Sequence, residues 1–223
     1  MYSKFIIQIL TVVLIVSCNA TPQKVKEAEI PAVSLPYYQS PDYKPYWITG
    51  KDELNMTVKH RLGEFAFMNQ DGEVVTQEAV KGKIHVANFF FTTCPSICPA
   101  MIGQFERLQD SLKENDNVLL LSYTVDPATD TVACLKAYGQ QHHLIKDKWH
   151  LLTGNKEELY AIGRTFYFAE KEEGIGKNSE QFLHTENFIL VDASGYIRGI
   201  YNGTMPEETN RLIKDIRNLE LEY

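Results

Sequence analysis

Two cysteines and a distant histidine are the residues of this sequence best suited to chemistry. Three residues separate Cys94 from Cys98, and Pro99 follows directly. A proline at this place is typical of the first turn of a helix. The N-terminus of a helix carries a positive partial charge of about half a unit, which favours thiolates over thiols. The two sulfur atoms are therefore predicted to act as metal ligands or as nucleophiles, with His184 as a candidate third ligand.

The spacing of the cysteines favours a shared metal ion. In a helical turn, an i, i+4 spacing places both side chains on one face, where they can converge on one atom. Two thiolates within reach of one imidazole suit Cu(I) or Zn(II). A closed zinc site needs a fourth protein ligand, and the sequence offers no obvious one, which favours copper. The plainer alternative is a disulfide that only staples a loop, although the junction of a strand and a helix is an unusual place for one.

His184 is a candidate metal ligand because of its position in the chain. It follows a polar segment from Glu170 to Gln181 that is predicted to be a mobile loop, and it precedes a predicted strand from Asn187. Such a loop can carry an imidazole towards the cysteines. A lone histidine is more often an ordinary core or surface residue, so without this position His184 would carry no prediction.

Polar residues also follow the second predicted core strand. Asp130 or Thr131 is expected to cap the next helix. Because neighbouring parallel strands end at the same edge of a sheet, Asp126 is expected near the cysteines. Cys134, on the predicted helix, is interpreted as a small core residue.

The predicted elements describe an α/β domain. A β-hairpin turns at Asp71–Gly72, and a buried strand leads to the cysteines. Helices and strands then alternate before a final hairpin and helix. The cysteine motif at the first strand-to-helix junction predicts a thioredoxin-like fold with an extra N-terminal β-hairpin rather than a dinucleotide fold. No glycine fingerprint follows the first core strand. The predicted strands cover 60–67, 73–75, 84–91, 117–125, 149–154, 187–192 and 196–201, and the predicted helices cover 101–112, 131–142, 156–166 and 206–219.

The N-terminal region is predicted to export and anchor the chain. Residues 1–18 have the pattern of a lipoprotein signal peptide: their apolar run is shorter than the roughly 20 residues a membrane-spanning helix needs. The run ends in Ile15-Val16-Ser17-Cys18, which resembles a bacterial lipobox, so Cys18 is predicted to become the lipidated N-terminus. An ordinary signal with a stray cysteine is the alternative. Residues 19–53 are predicted to be an extended tether with an aromatic end that docks on the domain, and 54–223 to be the domain. We expect a lipoprotein facing the periplasm.

The charge of the chain argues against a nucleic-acid partner. The sequence has 22 Lys and Arg against 29 Asp and Glu, a net charge of −7. It contains no long basic run of the kind that binds a phosphate backbone.

Three segments together resemble the Sco/SenC family of copper chaperones. They are 91–99 with both cysteines, 125–131 with the Val-Asp-Pro-x-x-Asp-Thr pattern, and His184-Thr185 ahead of the strand ending in Asp192. The resemblance implies a membrane-tethered thioredoxin fold that binds one copper ion, as Cu(I) or Cu(II), through Cys94, Cys98 and His184. It also implies a role in assembling the dinuclear copper site of cytochrome c oxidase subunit II, and a thiol pair that can reduce the cysteines of the recipient.

Other functions remain open from the sequence. A thiol-disulfide oxidoreductase needs only the fold and the cysteines. A peroxidase shares the fold, but the motif lacks the polar surroundings of a single peroxidatic cysteine. A non-metal adaptor at the membrane is the last alternative. The sequence does not decide between copper donation and thiol reduction, nor between cytochrome oxidase and another copper enzyme as the recipient.

Overall fold

The computed structural model describes residues 34–48, 53–54, 57–170 and 177–222. The predicted signal peptide with Cys18, and the first part of the predicted tether, lie outside these residues. Within the described ranges, no helix combines the length and the apolar character needed to cross a bilayer.

Seven strands of the described chain form one mixed sheet. The strands run in the order β2-β1-β5-β4-β3-β6-β7. The three central strands β5, β4 and β3 are parallel, and every other neighbouring pair is antiparallel. This confirms the thioredoxin-like α/β fold. The predicted N-terminal hairpin is present at one edge, but its first strand covers Ala66–Asn69 rather than 60–67. The strands are β1 (Ala66–Asn69), β2 (Val74–Thr76), β3 (Ile84–Phe90), β4 (Val118–Thr124), β5 (Trp149–Thr153), β6 (Asn187–Val191) and β7 (Ile197–Asn202).

The helices lie where the sequence predicts them, with three differences. The short helix α1 (Gln77–Val80) was not predicted. Helix α2 begins at Cys98 rather than at Met101, because Pro99 fits the first turn of a helix. The predicted helix 156–166 ends in a π-helical stretch, here called the π-turn. The described helices are α1 (Gln77–Val80), α2 (Cys98–Leu112), α3 (Val132–Gln141), α4 (Lys156–Ala161), the π-turn (Ile162–Phe166) and α5 (Pro206–Glu220).

The sheet is covered on both faces. Helices α2, α3 and α5 contribute to one apolar cluster around Phe105 and Trp149, and α4 with the π-turn contributes to the other, around Tyr123 and Tyr167. All residues of β3, β4 and β5 are buried. Strands covered on both sides are apolar along their whole length, which is why the sequence showed them as unbroken runs.

The segment 34–48, which belongs to the predicted tether, packs on the far edge of the sheet. Tyr38 forms a β-bridge with Ile197 of β7. The buried guanidinium of Arg198 donates to the carbonyl of Leu35 at 2.8 Å and pairs with Asp192 at 3.1 Å. This end of the predicted tether is therefore part of the folded domain.

Candidate metal and thiol site

The two cysteines lie at the junction between β3 and α2. Strand β3 ends at Phe90, Cys98 is the first residue of α2, and residues 91–97 between them form a turn, here called the cysteine turn. Cys94 is half-buried and Cys98 is buried, and both are free thiols. The backbone N–H of Cys94 donates to the carbonyl of Phe91 at 3.3 Å. The predicted strand-to-helix junction at the cysteines is confirmed.

The two thiols differ in acidity. Burial alone would raise the pKa of Cys94, but the thiol of Cys98 and the backbone N–H groups of Ser96, Cys98 and Ile97 lower it below its usual range. Burial, with the hydrogen bond to Cys94, raises the pKa of Cys98 to about 12. Cys98 therefore keeps its proton and shares it with Cys94, which is the more nucleophilic and the more exposed sulfur.

His184 is joined to the cysteine turn by aromatic rings. Its imidazole lies against Phe182, with ring centroids 4.8 Å apart. Phe182 meets Phe91 of the cysteine turn edge to face at 5.3 Å. His184 itself is exposed, between the buried residues Leu183 and Thr185. The burial of Leu183 and Thr185 thus holds the backbone at His184, whereas His184 itself is exposed.

Cys94, Cys98 and His184 line one cavity of about 330 Å³, here called the cysteine cavity. Phe91 and Phe182 contribute apolar walls. Among the described residues, no group of three or more His, Cys, Asp or Glu side chains stands close enough to hold a metal ion. The structure therefore brings the three predicted ligands to one cavity without closing them into a ligand cluster, and a rearrangement of the imidazole is needed for all three to reach one ion.

Asp130 holds the cysteine turn through hydrogen bonds to Thr92. It is completely buried. Its carboxylate accepts hydrogen bonds from the backbone N–H of Thr92 at 3.2 Å, the hydroxyl of Thr92 at 2.5 Å and the hydroxyl of Thr124 at 2.5 Å. Thr131, rather than Asp130, caps α3, because its hydroxyl accepts from the N–H of Cys134 at 3.3 Å. Asp130 thus fixes the residues that lead into Cys94.

Val125 lines the cysteine cavity and Asp126 follows it directly, so the expected closeness of Asp126 to the cysteines stays a prediction. One sequence expectation in this region needs correction. Cys134 is half-buried rather than a core residue, and its sulfur lies 3.5 Å from the hydroxyl of Thr92. The reason is the phase of α3, which buries Leu135 and Gly139 instead.

Sequence reasoning missed the supporting roles of Thr92 and Phe182. Thr92 binds Asp130 across a gap of 38 residues, so no local pattern indicated it. Phe182 carries a weak signal, because an exposed aromatic two residues before a candidate ligand is a plausible ring partner.

The fold and the site define a class of protein. It is a thioredoxin-like domain with a reduced Cys-x-x-x-Cys pair at a helix N-terminus and a histidine on the wall of the same cavity. The SCO1/SenC family model matches residues 55–220. The chain belongs to the SCO1/SenC family.

Solved structures of the family resemble this fold. A SCO1/SenC family lipoprotein from Bacillus anthracis is 31% identical, with a TM-score of 0.63, covering 72% of this chain and 95% of that one. BsSco, a member of the Sco family of cytochrome c oxidase assembly proteins with a disulfide switch, is 33% identical, with a TM-score of 0.62, covering 74% and 95%. Copper-bound ScoI of Arabidopsis thaliana is 28% identical, with a TM-score of 0.54, covering 70% and 97%.

Proposed function

We propose that this protein is a membrane-anchored copper chaperone. It binds one copper ion through Cys94, Cys98 and His184, and it assists assembly of the dinuclear copper site of cytochrome c oxidase subunit II or of another copper-receiving protein. The observation that carries the proposal is the meeting of two free thiols and an imidazole on the walls of one cavity. The copper-bound ScoI structure and the assembly role of BsSco's family support it.

The site suits a soft ion that is taken up and given away. Thiolates and an imidazole prefer Cu(I) over hard cations. Both thiols must lose their protons on binding, so copper uptake releases protons. The exposed His184 can complete the site after the thiolates bind and can leave first when the ion is passed on. A cavity with an open imidazole side fits transfer better than permanent storage.

Copper binding tests this proposal directly. The reduced full-length chain in detergent micelles is expected to bind about one equivalent of Cu(I). Cys94→Ala, Cys98→Ala and His184→Ala are each expected to weaken binding. Cys134→Ala is the matched control, because this thiol is half-buried beside Thr92 but does not line the cysteine cavity. If His184→Ala bound copper as tightly as the unmodified protein, the three-ligand site would be wrong.

A second function is favoured by the unequal thiols. The half-exposed Cys94, with its lowered pKa, suits attack on a disulfide of the copper-receiving protein. Its thiolate forms a mixed disulfide and releases one recipient thiolate. Cys98 then loses its proton and attacks the sulfur of Cys94, which releases the second recipient thiol. The recipient disulfide gains two electrons, and Cys94 and Cys98 become a disulfide.

The two functions separate by their dependence on His184. Disulfide reduction should persist in His184→Ala and should not turn over in either cysteine variant. Cys98→Ala should accumulate the mixed disulfide, because no second thiol resolves it. A His184→Ala variant that lost exchange would contradict the reductase function.

The anchor is part of the proposal. Cys18, which lies outside the described residues, is proposed to carry the lipid and to hold the domain on the periplasmic face of a membrane. The lipoprotein from Bacillus anthracis supports this. Cys18→Ala is expected to abolish labelling by a fatty-acid probe and to move the protein into the soluble fraction, whereas continued labelling would refute lipidation at this residue.

A further inference from the structure

The π-turn contacts the segment directly before His184. It continues α4 and contains Gly163 and Arg164. Single π-turns inside helices are rare and often occur at functional sites. Here the two residues make separate contacts to the chain just before His184.

Arg164 binds both ends of the segment that precedes His184. Its Nε donates to the carboxylate of Glu170 at 2.6 Å. Its two terminal nitrogens donate to the carbonyl of Asn178 at 2.7 Å and to the carbonyl of Gln181 at 2.5 Å. The side chains of Arg164 and Glu170 are only 9% and 8% exposed. Charged hydrogen bonds of this kind are about twice as strong as neutral ones.

The electrostatics keep this cluster ionised. Burial alone would raise the pKa of Glu170, but Arg164 and Lys177 lower it below its usual range. The ammonium of Lys177 lies 3.0 Å from the second carboxylate oxygen. Glu170 therefore remains a carboxylate and holds the guanidinium in the orientation that reaches Asn178 and Gln181.

Gly163 provides the second contact. A Cβ atom at this position would lie 2.7 Å from Cδ1 of Leu183 and 2.9 Å from Cε1 of Phe89. Only a glycine lets Leu183 pack this closely, and Leu183 is 2% exposed. Leu183, directly before His184, is thus held against Gly163 of the π-turn. The carbonyl of Gln181 is held by Arg164 of the same turn.

We propose that Arg164 is a positioning residue that places His184 for copper capture. The inference rests on the proposed function, because it assigns to Arg164 the placing of the third ligand. With Gln181 held by Arg164 and Leu183 held at Gly163, the imidazole reaches the thiols mainly by rotation of its own side chain. Loss of the guanidinium frees the turn 178–181, so the imidazole spends less time near the cysteine cavity. Binding by the two thiolates alone is not affected.

A double-mutant cycle tests this positioning. The probe is Cu(I) alone, in competition with a chromophoric chelator, on the reduced full-length chain in micelles. Arg164→Gln is expected to weaken Cu(I) binding about 10-fold, the low end of the loss usual for residues that orient a metal ligand. In a His184→Ala background the same change is expected to have no further effect, because it acts only through the imidazole. Arg164→Lys, which keeps the charge but only one donor group, should fall between.

The matched control is Arg107→Gln on α2. Arg107 is exposed and donates to Asn210 at 2.9 Å, outside the cysteine cavity. This variant should bind copper like the unmodified chain. An equal loss for Arg164→Gln with and without His184, or no loss at all, would overturn the positioning role.

Hydrogen exchange of the metal-free protein separates this inference from the proposed function. In Arg164→Gln the amide of Gln181, which donates to the carbonyl of Asn178 at 3.1 Å, is expected to exchange faster, while the amides of β3 and β4 keep their rates. Faster exchange across the whole sheet would mean general destabilisation and would overturn the inference. If His184→Ala leaves copper affinity unchanged, the three-ligand function fails, and so does Arg164's role in copper capture. The exchange of the Gln181 amide then still reports whether Arg164 fixes this segment.

Discussion

Replacing Asp130 by asparagine tests how the cysteine turn is held. The carboxylate accepts two bonds from Thr92 and one from Thr124, and it is completely buried. Asparagine keeps one acceptor oxygen, but its NH2 group faces hydroxyls that now donate to the carboxylate. Hydrogen bonds to a charged group contribute about 1.5–3 kcal/mol, against about 1 for neutral ones. Weakening two hydroxyl bonds in this way should therefore destabilise the domain by about 2 kcal/mol.

Thermal unfolding of the metal-free protein measures this loss. For a domain of this size, about 2 kcal/mol lowers the Tm by roughly 4–8 °C. Asp110→Asn is the matched control, since Asp110 is exposed on α2, and it should leave the Tm almost unchanged. Asp130→Asn should also weaken copper binding, because the turn that presents Cys94 is loosened. A variant with the stability and copper affinity of the unmodified protein would refute the role assigned to Asp130.

Three further predictions follow from burial and acidity. The affinity for Cu(I) should rise with pH over the whole neutral range, because the pKa of Cys98 is about 12 in the free protein and its proton must leave on binding. Chelator competition from pH 6 to 9 should show about a tenfold gain in affinity per pH unit from this thiol alone. An affinity that does not change with pH would contradict the prediction. Gly163→Ala should cost about 1–3 kcal/mol in urea unfolding, because its methyl group displaces Leu183, whereas unchanged stability would mean that the contact is loose. Arg198→Ala should destabilise the domain by about 3–5 kcal/mol, because it leaves the carboxylate of Asp192 buried without its partner; a loss below 1 kcal/mol would show that the pair is dispensable.

The sequence predicts the elements whose signal is local. Strand β3 and strand β4 were predicted to within a residue at either end, because strands covered on both faces are continuous apolar runs. The stripe Met101, Phe105 and Leu108 marked α2, and all three residues are buried. The placement of the cysteines followed from the same local signals.

The remaining features depend on contacts between distant parts of the chain. The π-turn differs from an α-helix by its i→i+5 hydrogen bonding, in which the N–H of Tyr167 donates to the carbonyl of Ile162 at 3.0 Å. The helical spacing of apolar residues in 156–166 does not reveal this difference. The phase of α3, which leaves Cys134 half-buried, is set by the packing of the helix against the sheet. The raised pKa of Cys98 depends on burial that only the folded protein shows.

X-ray absorption at the copper edge of the Cu(I)-loaded protein tests the central claim most directly. We predict two sulfur ligands and one imidazole nitrogen in the unmodified chain, and two sulfur ligands with loss of the nitrogen in His184→Ala. Identical spectra for the two proteins would contradict the account, because they would show that His184 does not reach the ion held by Cys94 and Cys98.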